Sequence, residues 1–159
     1  MAACLAAGCN VSLFHDAITT SVEIPGAEVG LFTTSKMFRF ERDFAAARKA
    51  VMHRAWVSID MDAPDMPEGI DLSVFSSIDV YVLEPETGTR KLAVQGSGFR
   101  PGQTQRVLDI MLYDDLKRYI TEGRISLDWE IMRNAMVPAW DPEATIRVRF
   151  GLVLEIETN

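Results

Sequence analysis

The stretch from Ile146 to Ile156 constrains this chain more than any other. Ile146, Val148, Phe150, Leu152, Leu154 and Ile156 recur at strict period two, with Arg147, Arg149 and Glu155 on the opposite side and Glu157 beyond them. Successive side chains of an extended strand point to opposite faces, so this pattern fits a half-buried strand and not a 3.6-residue helical repeat. The same alternation appears at Ile18–Ile24, which ends at the turn pair Pro25-Gly26, and at Ile125, Leu127, Trp129 and Ile131. It appears again where Ala55, Val57, Ile59 and Met61 face away from Arg54, Trp56, Ser58 and Asp60. Ile78–Val82 reads as a strand covered on both sides, joined through Glu84–Thr89 to Lys91–Gln95. Thr104–Met111 is strand-like, and Met37–Phe40 is a short edge.

Only two segments have helical composition. Glu41–Ala50 is rich in Ala and Arg. Asp114–Glu122 has acidic residues in its first turn and Gly123 just beyond its end. Short strands with brief helices predict an all-β fold, an antiparallel β-sandwich of immunoglobulin-like architecture with one or two short helices. The cysteine pair of antibody domains is absent from this region.

Composition narrows the function classes. With 23 acidic against 16 basic residues the net charge is −7, which supplies no cation excess for phosphate contacts, so nucleic acid is not an expected partner. A 159-residue chain, 48% hydrophobic, forms a core without metal or disulfide support. Both cysteines, Cys4 and Cys9, precede the strand-like region. With His15 they give C-x4-C-x5-H, which lacks the fourth ligand and tight pairs of structural zinc.

The segment Leu5-Ala6-Ala7-Gly8-Cys9 resembles the lipobox of bacterial lipoproteins, here ahead of a small β-sandwich domain. The resemblance implies cleavage before Cys9 and attachment of a diacylglyceryl group to its thiol. It also implies a place in the cell envelope. Asn10 follows in place of the Asp that retains such proteins in the inner membrane, which points to the outer membrane. The expected organisation is a signal-peptide-like segment over 1–8, a tether over 9–17, and one domain over 18–159. No Lys or Arg occurs before Lys36, so a complete leader would require coding sequence upstream of Met1. With Met1 as the initiator, the same chain would be a cytoplasmic domain.

The functional expectation is a lipid-anchored envelope protein with a structural or binding role, no catalysis and no cofactor. Its partners would be the membrane and a protein or glycan of the envelope. An alternative is a calcium- or glycan-binding module. Asp60, Asp62 and Asp65 are the candidate calcium ligands, in an acidic stretch continuing to Glu68 and Asp71. Trp56 and Arg54, on the polar side of their strand, and Trp140, in a Pro-flanked loop, are the candidate contacts for a sugar or protein. A second alternative is an enzyme with an unrecognised carboxylate pair, for which Asp128 with Glu130 or Asp114 with Asp115 qualify. His53 has no G-x-S-x-G partner, and Gly96–Gly102 lacks the spacing and following helix of a phosphate loop.

Overall fold

The computed structural model describes residues 12–26, 30–40, 44, 47–135 and 143–158. Its strands are β1 (Ser12–Pro25), β2 (Leu31–Arg39), β3 (Ala47–Ile59), β4 (Phe75–Leu83), β5 (Arg90–Ser97), β6 (Gln105–Ile110), β7 (Ile120–Thr121), β8 (Arg124–Arg133) and β9 (Thr145–Thr158). All pairings are antiparallel, along the path β1-β9-β3-β6-β5-β4-β8-β2, with β7 a stub on β8. The sheet curls into a half-barrel. The all-β, antiparallel expectation therefore holds. In this strand order β1 pairs with the last strand and not with β2.

Alternation explains the curl. Along β9, Ile146, Val148, Phe150, Leu152, Leu154 and Ile156 are all buried, and along β8 so are Ile125, Leu127, Trp129 and Ile131. Trp129 meets Phe150 edge-on at 5.8 Å and Phe38 at 5.8 Å. β8 and β9 are not ladder neighbours, so the Trp129–Phe150 contact spans the interior and joins the β1-β9-β3-β6 half to the β5-β4-β8-β2 half. At the open seam, the Lys36 ammonium of β2 donates to the Ser21 carbonyl of β1. Asp71 ties together two loops that carry the chain between the halves. Its carboxylate accepts from the Ser73 amide at 2.8 Å, the Ser73 hydroxyl at 2.5 Å and the Gly102 amide at 2.6 Å.

Four local expectations are corrected. The segment read as a tether is already sheet from Ser12, where Ser12 to Ala17 pair with Thr158 to Val153. Glu41–Ala50 is not a helix through its second half: Ala47–Ala50 opens β3 and pairs with the end of β9. Small side chains are needed there. Ala50 is fully buried, its amide donates to Asp115 Oδ1 at 3.0 Å, and Lys117 Nζ donates to the Ala47 carbonyl. Residues 114–122 hold a 3-10 turn, Leu116–Tyr119, capped by Asp115 and followed by β7. Finally, the face assignment breaks where β3 ends, for Met61 is 56% exposed whereas Asp60 is buried.

Candidate functional site

The interior of the curl is filled by side chains, and the candidate residues Trp56 and Arg54 lie on the outer face of β1, β9, β3 and β6. The ladder stacks its residues in rows. One row runs Thr19, Gly151, Trp56, Val107 and another Ser21, Arg149, Ser58, Gln105. Trp56 belongs to the half-buried class and covers Gly151 of the neighbouring strand. A Cβ at position 151 would lie 2.1 Å from Trp56 Cε2, so glycine is what lets the indole occupy the surface of β9. Arg54 lies exposed on the same strand, opposite Val153, and Val107 beyond the indole is half exposed. The sequence placed Trp56 and Arg54 on this face. It gave no sign that Gly151 would carry the ring.

Two of the other expected sites take different forms. Asp60 accepts from Arg149 at 2.7 Å, an ion pair in which the carboxylate side is almost fully buried. Asp62 is exposed, and Asp65 adopts a positive φ of 61° in the turn beyond. The three carboxylates do not converge on a common point among the described residues. Asp128 and Glu130 do lie together on β8, with Arg90 across both at 3.2 Å and 2.7 Å. That guanidinium also sits 4.2 Å above the Tyr81 ring. Burial, with the charge and hydrogen bond of Glu130 added, raises the Tyr81 phenol above its ordinary range. Asp114 is drawn instead to Lys91 at 3.2 Å, and Asp115 caps the 3-10 turn. Cys9 and Trp140 lie outside the described residues.

A cluster that the sequence did not bring together occurs near the other end of the same face. His15 of β1 stands opposite Glu155 of β9, and His53 of β3 reaches the same carboxylate. His15 Nε2 is 3.6 Å and His53 Nδ1 3.7 Å from Glu155 Oε2, and the imidazole centroids are 4.7 Å apart. The ladder register shifts between Met52 and Arg54, leaving His53 as the extra residue of a β-bulge. Period-two patterning cannot reveal a bulge in advance, nor can it show that β1, β9 and β3 are neighbours.

No protein-family model matches the sequence, and no curated protein matches it. Among solved structures, the chain is similar to a putative secreted protein from Eubacterium rectale, with TM-score 0.45 and 10% identity over 92% of this chain. This chain spans 39% of that protein. It is also similar to a chain of Turnip Yellow Mosaic Virus, with TM-score 0.35 and 13% identity over 92% of this chain and 94% of the viral one.

Proposed function

We propose that this is a lipid-anchored domain of the bacterial envelope, held to the outer membrane through Cys9, with a binding role and no turnover. The observation that carries the reading is the composition of the sheet corner next to the lipobox-like segment. Among the described residues Ser12 is the first paired one, and Leu13, on the outer face of β1, is apolar yet 59% exposed. From Cys9 to Ser12 the chain spans at most about 11 Å when extended. A lipidated Cys9 would hold Leu13 close to the acyl–headgroup boundary, where burying it is favourable.

The body would be a two-layered sandwich of the jelly-roll kind. What supports this is the chain's repeated passage between the two halves, β1 to β2 to β3 to β4 and later β5 to β6 and β8 to β9, together with the Trp129–Phe150 contact across the interior.

The anchoring test is fractionation of cells that express the gene with its natural upstream region. The wild type should sediment with membranes, and Cys9→Ala should move most of it to the soluble fraction. A wild type that is itself soluble would reject the reading.

A second reading, glycan recognition by the outer face, is favoured by Trp56. Its indole is fixed over Gly151 with Arg54 nearby, a flat platform of the kind on which a sugar ring stacks. Binding to a glycan panel that is lost in Trp56→Ala would support it. Flat titrations of the wild type would remove it.

A further inference from the structure

We infer that His15, His53 and Glu155 form a binding site for a divalent transition-metal ion with a preference for imidazole, of which Zn2+ is the representative. Two imidazoles and one carboxylate are the three protein ligands of open zinc sites, in which water or an external ligand completes a tetrahedron.

Geometry agrees. Tetrahedral bonds of about 2.05 Å place neighbouring ligand atoms about 3.3 Å apart. Here both imidazole nitrogens lie 3.6–3.7 Å from Glu155 Oε2, and all three ligand atoms fall within 4.8 Å of one another. Those separations are too long for direct hydrogen bonds, so the three groups converge without bonding each other. A contraction of a few tenths of an ångström in two contacts, with a larger one between the imidazoles, closes them around an ion.

The backbone supplies a second argument. On a regular β3, outward side chains would fall at every other position, with Val51 already opposite Glu155. His53, two residues on, shares that outward face, and the register shift after Met52 leaves it without a ladder partner of its own, with its Nδ1 3.7 Å from Glu155 Oε2. β9 provides Glu155 in the middle, and β1 provides His15 directly across from it. Three adjacent strands thus each give one ligand, on a rigid ladder instead of a loop.

The charges suit the ion as well. The neighbouring carboxylate Glu157 is neutralised by Arg48 at 3.2 Å, which leaves Glu155 as the anion of the cluster. The histidine side chains are about half exposed, so the fourth position faces solvent. A bound ion would carry water there or accept a donor from an outside ligand. Oxygen-seeking Ca2+ and Mg2+ have little use for two imidazoles.

The chain holds only these two histidines, which makes the test specific. The full chain is stripped with chelator, then titrated with Zn2+ by calorimetry and with Co2+ by visible absorption. A Cys4→Ser/Cys9→Ser variant removes the thiols as competing ligands. One ion per chain is expected, with the visible bands of tetrahedral Co2+, in both the wild type and the Cys-free variant. His15→Ala and His53→Ala should each weaken binding by about tenfold or more and erase those bands, with circular dichroism unchanged. Glu155→Gln should weaken binding while leaving both imidazoles in place, and Ca2+ should give no heat. Absence of stoichiometric binding would overturn the site, and so would binding that survives both histidine substitutions.

Discussion

Two tryptophans, on strands of similar alternating sequence, meet opposite fates. Trp129 on β8 is 1% exposed and wedged edge-on between Phe38 and Phe150, where it joins the two halves of the sheet. Trp56 on β3 stands on the other parity, half-buried on the outer face above Gly151. Strand parity separates the residues that hold the fold from those available to a partner. The inner region is made almost wholly of aliphatic and aromatic side chains. The outer region mixes Trp56 with ion pairs such as Glu23–Arg147 and Asp60–Arg149, and with the His15–Glu155–His53 group.

Substitutions can break this contrast at its strong end first. Trp129→Ala should destabilise the domain by about 3–5 kcal/mol, because it removes a buried ring at the junction of the halves and leaves a cavity. Urea denaturation at equilibrium measures this, and a loss under about 1 kcal/mol would deny that the ring is a keystone.

Asp71 comes next. Burial works to raise its carboxyl, but the Ser73 hydroxyl and the Gly102 and Ser73 amides outweigh burial and hold it below the usual carboxylate range. A depressed folded pKa contributes stability that is present above the unfolded carboxylate range and lost as pH falls through the folded value. Asp71→Ala should cost about 2 kcal/mol at neutral pH, and the deficit should shrink as the pH is lowered past the carboxylate range. Chemical denaturation at a series of pH values reads both effects. A deficit independent of pH would contradict the assignment.

The outer region should respond more weakly and in a different currency. Gly151→Ala forces the indole of Trp56 off β9 and should cost about 1–2 kcal/mol, most of it recovered when Trp56→Ala is added. A double-mutant cycle without coupling would mean that ring and glycine do not depend on each other. Trp56→Ala alone should change stability least, by about 1 kcal/mol or less. If it matched Trp129→Ala, the division between faces would fail.

Much of this was readable in the sequence, for physical reasons. Where one face of a strand is buried and the other wet, alternation reports the face directly, as at Ile146–Ile156 and Ile125–Ile131. Ala47–Ala50 misleads because alanine favours helices in isolation. Here the small side chain is wanted for close approach to the Asp115 turn, and pairing with β9 overrides propensity. Ser12–Ala17 looks like a tether because its inward side chains are not all apolar, yet its backbone is fully laddered to β9. The histidine cluster was invisible for a different reason. His15, His53 and Glu155 are far apart in sequence, and it is the strand order β1-β9-β3 that makes them neighbours. The acidic run from Asp60 to Asp71 drew attention by composition. Its best-defined members, Asp60 and Asp71, act as an ion-pair partner and a loop clamp.

In the function proposed above, the domain is moored at Cys9, with Leu13 near the bilayer and the outer face open to ligands. The most direct measurement is the mass of the amino-terminal peptide of the protein isolated from its native membranes. The account predicts a chain that begins at Cys9 and carries a thioether-linked diacylglyceryl group. An unmodified Cys9 within a longer amino-terminal peptide, recovered from the soluble fraction, would contradict it.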